Sequence, residues 1–545
     1  MSVERKIPVA MATQHPDSAS RSVSVQEEVD EALLSLSHGE KGFGCDEYLI
    51  DYMGKLTPYH QIGQVIRRIN QGSGLIPGRD VFITPRLVSS FEDEPFRQLM
   101  AILAIMEGIY YSMKRFGEQG VIEFVQAMPK SVWDLKRCRD RVNHFFKPLA
   151  GELNGWKNGM ELRVIPLLEG VPEQVSVHET LPKSIKVLGV KDYFRVFLGK
   201  SETALVYGHP ASVLSCKLAI SDGYRVREEL GVEVHPILGG GALPFRGHFT
   251  LANAGNFLNE YSGVKTYTVQ SGMIYDHGVE ETRKLVETMK EAVQAKPLSV
   301  DGYERGKLMQ TIAIFAKNYL TTLSEVAEAV SKVAEVVPDQ RDRVLSSGYV
   351  SYYRELRKHR EIDAFLTLCP DSEVKQAFTA IDRKTLAILP RAVKFTAALY
   401  TCGLPPEFLG TGEALREISE RMGQRWLETL IEEVHPSLKD DIQFASKFLN
   451  PSPSVNIVLT PRIKQGIDYL REYFTFEEPD SGHQILTGMA MLYIKNLWEG
   501  RVDKVVKRVA LTIYPGRVAE YLTGSVSENL KKLILDMGKI RGSLG

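Results

Sequence analysis

Cysteine is scarce in this chain of 545 residues, which has only Cys45, Cys138, Cys216, Cys369 and Cys402. They are scattered, odd in number and without a CxxC pair. That excludes a disulfide scaffold and a cysteine-based zinc site, and it points to a reducing, cytoplasmic setting. Long apolar runs are missing too: no stretch of about 18 apolar residues exists to span a membrane. The first residues, Met-Ser-Val-Glu-Arg-Lys, lead into no apolar segment long enough for a signal peptide. Neither sign of charge dominates, since 67 Lys and Arg stand against 68 Asp and Glu. The balance excludes nucleic acid or an anionic membrane as the main partner, while leaving room for local basic pockets. No GxGxxG opens a first strand–helix turn, no GxxxxGK[ST] is present, and the histidines show no HExxH spacing.

What is there is a repeated alternation. Short apolar or β-branched runs occur near 7–12, 81–85, 120–127, 161–168, 192–199, 233–238 and 265–270. Between most of them lie helical patterns. Over 94–116, Phe96, Leu99, Ile102, Leu103, Ile105 and Met106 recur at helical spacing. A second helix is expected over 210–230, with Pro210 in its first turn. Strand followed by helix every 30–40 residues or so implies a parallel sheet. Seven or eight such units predict an α/β fold of the closed (β/α)8 TIM-barrel type.

From about Gly306 the pattern changes to long amphipathic helices, expected over 307–336, 371–400, 413–434 and 526–540. Val455–Leu459 reads as one late strand. At this length the chain exceeds one simple core. No internal repeat, low-complexity tract or clean linker divides it. It therefore reads as one unit, 1–545, with barrel strands mainly within 7–280 and helical, oligomer-forming elements mainly within 306–545.

A barrel of this type builds its active site at the C-terminal ends of its strands. The residues after each expected strand are therefore the candidates. The first strand leads into Met11-Ala-Thr-Gln-His15-Pro-Asp17, which puts a histidine at a strand exit with Pro16 blocking further regular structure. On its own this is an ordinary loop histidine near a chain end. The other strand ends carry Arg86, Glu169, Lys200 with Glu202, the loop Gly239-Gly240-Gly241-Ala-Leu-Pro-Phe-Arg246-Gly247, and Gln270. Glu169 and Glu202 make a plausible pair for Mg²⁺ or Mn²⁺, which favour carboxylate oxygens. The glycine loop offers backbone N–H groups to an anion and acts as a candidate lid, with Arg246 adding a forked donor. The polar, aromatic segment 44–61, with Lys55 and Gln61, is either a lid or substrate wall, or a surface loop whose tyrosines pack. Arg391, at the start of an expected helix, either points into the rim or lies on the surface.

Together these motifs resemble phosphoenolpyruvate carboxylase of the short archaeal type. The matching segments are Thr-Gln-His15-Pro-Asp, Asp51-Tyr-x-Gly-Lys55-x-Thr-Pro-Tyr-His-Gln61, Pro-Phe-Arg246-Gly and Leu404-Pro-Pro-Glu-Phe-Leu-Gly410. The resemblance implies a barrel with many added helices, a homotetramer, and Mg²⁺ or Mn²⁺ as cofactor. It implies addition of bicarbonate to phosphoenolpyruvate, giving oxaloacetate and inorganic phosphate. By similarity to the longer enzymes of that family, His15, Arg246 and Arg391 are catalytic, and Glu169 and Glu202 hold the metal. Arg86, Lys200, Gly239, Gly240, Gly241 and Gln270 are expected to bind substrate. Two departures stand out. Leu205 takes the place of a lysine in the longer enzymes, and their glycine loop carries a second arginine and a histidine where here only Arg246 aligns. Lys200 or Arg86 is the candidate for the missing positive charge. A related barrel lyase acting through an enolate would share much of this set but would not need bicarbonate.

Overall fold

The computed structural model describes residues 6–14, 17–53, 55, 57–89, 95–150, 162–292, 295–341, 362–381, 384–452, 458–499, 508, 521 and 523–545. Eight parallel strands close into a barrel in chain order: β1 Ala10–Thr13, β2 Glu47–Asp51, β3 Phe82–Leu87, β4 Glu123–Ala127, β5 Arg163–Leu168, β6 Tyr193–Gly199, β7 Glu233–Gly239 and β8 Thr266–Gln270. β1 pairs with both β2 and β8, which completes the ring.

Seven of these strands coincide with the runs expected from sequence. β2 was expected to be lid or loop, and the structure corrects this. Its sequence, Glu-Tyr-Leu-Ile-Asp, has charges at both ends. Tyr48 and Ile50 pack outward against the surrounding helices, while Leu49 joins the barrel interior. Glu47 and Asp51 share the inward face with Leu49, where arginines from other strands meet them. A strand whose inward positions carry charge shows no apolar alternation to read.

The barrel interior is layered. Near the N-terminal ends of the strands, Arg195 of β6 meets Glu47 of β2 (2.7 and 2.9 Å), Glu123 of β4 (3.0 Å) and Thr266 of β8 (3.1 Å). These four come from alternate strands, as the tilt of an eight-stranded barrel requires. Above them lies an apolar plug that includes Met11, Leu49, Val125, Ile165, Phe197 and Ile237.

The later half is helical. A helix over Gly302–Val336, about 50 Å long at 1.5 Å per residue, is its spine. The Tyr319 hydroxyl on this helix donates to Leu205 O at 2.8 Å, tying it to the segment after β6. The helix expected over 371–400 is broken into Ser372–Thr379, Lys384–Ala387 and Ala392–Thr401. Pro390 lacks the N–H needed to continue and disfavours helical geometry at Leu389. The stretch 413–434 is likewise divided: Gly423, at φ 88°, ends Thr411–Met422 before Gln424–Thr429 begins. The late strand expected over 455–459 lies mostly outside the described residues. Among the described residues no helix is long and apolar enough to cross a membrane.

Candidate active site at the C-terminal rim of the barrel

Arg86, expected just beyond its strand, is instead the fifth residue of β3 and points into the rim. Its Nε and Nη2 donate to the two oxygens of Asp51 at 2.9 and 2.7 Å. Burial works against its charge, but Asp51 outweighs it, with smaller contributions from Glu169 and Glu202, so the pKa lies above its ordinary value. Both candidate metal carboxylates therefore act on one guanidinium. Glu169 follows β5 and is buried. Its backbone N–H and that of Gly170 donate to Glu173 at 3.0 and 3.2 Å, which pins the turn. Gly199 lies beside it: a Cβ there would come within 3.1 Å of Glu169 Cγ, so the end of β6 stays bare to let the carboxylate pass. Glu202, expected at the end of β6, sits in the first turn of the helix that follows it, Lys200–Tyr207.

The donor set suits a hard divalent cation. It consists of carboxylate oxygens from two adjacent strand ends. Among the described residues no group of three or more His, Cys, Asp or Glu converges as a closed cage. Mg²⁺ and Mn²⁺ commonly bind through one or two carboxylates and complete their shells with water and substrate oxygens.

The glycine loop differs from expectation. Gly240 N donates to Thr268 Oγ1 (2.9 Å) and Gly241 N to Arg246 O (2.7 Å), so these two N–H groups are spent within the protein rather than turned to an anion. The loop is also no lid, because residues 240–249 are buried. Close packing explains the triplet. A Cβ on Gly239 would lie 2.6 Å from the Phe197 ring, on Gly240 2.6 Å from the Phe249 ring, and on Gly241 2.5 Å from the Gln270 amide. Gln270 thus serves as the floor under Gly241. The product of this tight turn is the placement of Arg246, whose Nε donates to Ser201 Oγ (3.1 Å) and whose Nη1 donates to the main-chain oxygen of Gly545 (2.6 Å).

Lys200 is corrected as well. It is fully buried, and its ammonium donates to Phe245 O at 3.4 Å and lies 3.3 Å from His209 Nδ1. It supports the glycine loop from beneath and does not reach the open rim. Burial pushes its pKa down to about 8, partly offset by nearby acids including Asp441 and Glu407. Behind it His209 Nε2 (2.9 Å) and His248 Nδ1 (2.7 Å) share Asp441. Burial opposes the charge on Asp441, but the two histidines hold its pKa well below the ordinary carboxylate range.

His15 and Pro16 lie outside the described residues. Their neighbours are firmly held. The Gln14 amide nitrogen donates to Gln61 Oε1 (2.8 Å), and its oxygen accepts from Asp51 N (3.0 Å) and Lys55 Nζ (3.3 Å). Lys55 is buried against Glu28, and burial lowers its pKa to about 8. Asp17 accepts from Gln340 N (3.2 Å) and from Arg391 Nη2 (3.2 Å). So the described part of the 51–61 segment is neither lid nor free loop: it braces the exit of β1. Arg391 stands just before the helix Ala392–Thr401, without a capping side-chain bond, and also meets Asp339 at 3.1 Å.

Sequence reasoning missed Asp51, Ser201 and Gln14. Ser201 and Gln14 adjoin residues that were singled out. Asp51 was legible only as part of a motif, because its partner Arg86 lies on a different strand.

The comparisons with known proteins converge on one family. The family model described as phosphoenolpyruvate carboxylase matches residues 7–545. A phosphoenolpyruvate carboxylase of Methanosarcina mazei is 36% identical, with 100% of each chain covered. One from Methanopyrus kandleri is 35% identical over 99% of each chain, and one from Pyrobaculum islandicum is 29% identical over 85% of this chain and 92% of its own. This chain, a (β/α) barrel with two carboxylates and an arginine at its rim, matched over residues 7–545 by the family model and over its full length by the Methanosarcina mazei relative, belongs to the phosphoenolpyruvate carboxylase family.

Proposed function

We propose that this chain joins bicarbonate to phosphoenolpyruvate, giving oxaloacetate and inorganic phosphate, at the C-terminal rim of its barrel. The family match over residues 7–545 supports the reaction. The observation that carries the site is that Glu169, just after β5, Glu202, just after β6, and Arg86, near the end of β3, all stand at the C-terminal ends of barrel strands, the rim where barrel enzymes do their chemistry.

In this reading Glu169 and Glu202 hold Mg²⁺ or Mn²⁺. When bound, the ion supplies positive charge for an enolate oxygen. Phosphoenolpyruvate carries a phosphate and a carboxylate, so forked cations suit both ends. Arg246, set by the glycine loop, and Arg86, steadied by Asp51, fill that role. A bicarbonate oxygen attacks phosphorus and the bond to the enol oxygen breaks, leaving carboxyphosphate and enolpyruvate in its enolate form. His15 accepts the carboxyphosphate proton as that species falls apart into CO₂ and phosphate. The enolate carbon then adds to CO₂. Arg391 holds Asp17, two residues beyond His15, and so steadies the segment that carries the base. Lys200, Gly240 and Gly241 contribute by shaping the loop rather than by touching substrate. Self-association as a homotetramer belongs to the same reading, and analytical ultracentrifugation tests it.

The experiment supplies phosphoenolpyruvate, bicarbonate and Mg²⁺ and couples oxaloacetate to NADH oxidation through malate dehydrogenase. A bicarbonate-dependent signal is expected, and its absence overturns the assignment. His15→Asn is expected to abolish oxaloacetate formation while bicarbonate-dependent phosphate release persists. Glu202→Gln is expected to raise the Mg²⁺ concentration needed for half-maximal rate.

A further inference from the structure

Glu407 sits in the Leu404-Pro-Pro-Glu-Phe-Leu-Gly410 segment, and nothing above gives it a task. It is fully buried, carried on a short 3₁₀ turn, Pro406–Phe408, that Pro405 and Pro406 initiate. One oxygen, Oε1, accepts the N–H of Phe245 at 2.7 Å. The Tyr400 hydroxyl lies 3.2 Å from each carboxylate oxygen. On the far side of the same residue, Lys200 Nζ donates to Phe245 O at 3.4 Å. Two buried polar side chains, one from the barrel and one from the helical half, thus grip the residue immediately before Arg246; burial raises the Glu407 pKa to about 7, and an oxygen accepts the Phe245 N–H in either protonation state.

We infer that Glu407 and Lys200 are positioning residues that clamp Phe245 and thereby aim Arg246 into the rim. The polarity is the right way round. An acceptor oxygen meets the N–H end and a donor nitrogen meets the carbonyl end, so rotating either amide away leaves buried polar groups without a partner. The neighbouring backbone has no slack to absorb such a change. Arg246 N donates to Leu243 O (2.9 Å), and Arg246 O accepts from Gly241 N (2.7 Å). What the pair adds is a hold on both sides of Phe245, and the residue that follows carries the guanidinium. The inference rests on the reading of Arg246 as a substrate-binding arginine.

The test measures kcat/KM for phosphoenolpyruvate in Glu407→Ala, Glu407→Gln and Lys200→Met, each alone and combined with Arg246→Gln. Glu407→Ala is expected to lose about 10- to 100-fold, the usual effect of a guanidinium displaced by an ångström or so. Glu407→Gln keeps an oxygen acceptor for Phe245 N–H and is expected to stay within about threefold of the parent, a rescue that general destabilisation would not give. In the Arg246→Gln background, Glu407→Ala and Lys200→Met are each expected to cost less than about twofold more, because they act through the same side chain. Full additivity with Arg246→Gln overturns the clamp, as does equal loss in Glu407→Ala and Glu407→Gln. Should Glu407→Ala fail to fold, Lys200→Met and Glu407→Gln decide by the same additivity rule. Parental activity in Arg246→Gln alone would overturn the reading of Arg246 itself, and the clamp with it, which is a separate and distinguishable result.

Discussion

Arg195 and Arg86 both point into the barrel, one near the N-terminal ends of the strands and one near the C-terminal ends, and they are neutralised differently. Arg195 is fully buried between Glu47 and Glu123, with Thr266 taking a further N–H. Burial opposes its charge, and the two carboxylates raise its pKa above the ordinary value all the same. Every partner comes from the barrel itself. Among the described residues Arg86 pairs with Asp51, and it keeps 18% of its side chain exposed. Glu169 and Glu202 act on it while being held by other elements. The lower site is closed on its own charges. The upper one leaves charges of both signs, Arg86 and Glu202, partly exposed. A closed ionic layer holds the barrel together, and an open one can meet an ion and an anionic substrate.

The contrast can be broken at three points. The largest effect is expected at the base. Arg195→Met strands Glu47 and Glu123 in the interior, so chemical denaturation should show a loss of about 3–5 kcal/mol, while the folded fraction keeps the parental kcat. Loss of activity without loss of stability would mean that the lower layer is not merely structural. At the rim the expectation reverses. Arg86→Lys still neutralises Asp51 but loses the fork, so kcat/KM should fall about 10- to 100-fold with the denaturation midpoint nearly unchanged. A large stability loss there would erase the difference between the two ends.

The third and smallest effect lies outside the barrel, at a half-buried acid whose oxygens, among the described residues, have no hydrogen-bond partner. Both Glu413 oxygens are buried without a side-chain donor, and burial raises its pKa to about 7. An acid whose folded pKa is raised binds its proton more tightly when folded. Its contribution is therefore present below about pH 4.5 and is lost as pH rises towards 7. Glu413→Gln should accordingly gain stability relative to the parent between pH 5 and pH 8, by roughly 1–3 kcal/mol. A gain that does not change with pH would show that Glu413 does not titrate in this window.

Legibility from sequence follows the same division. Strands with a dense apolar run, such as β5 and β6, announce themselves by composition. β2 did not, because its inward positions are Glu47 and Asp51 and their partners are remote. Glu169, Glu202 and Arg246 were legible because barrel geometry places strand-end residues on one rim. The work of Gly240 and Gly241 was misjudged, since glycine next to a phosphate and glycine beneath a phenyl ring look alike in one dimension. Lys200 was misplaced for a related reason: a strand-end lysine one residue earlier or later in a helical turn faces solvent or core.

By itself the sequence determined the alternation of strand and helix, the balance of charge, and the motifs that mark the family, all of which are local in the chain. Only the tertiary structure decided which charges are closed and which are open. Arg195 finds Glu47 across 148 residues, and Phe245 finds Glu407 across 162. Spacing along a chain tells which face a side chain occupies, but a buried charge takes its meaning from the partner that folding brings to it.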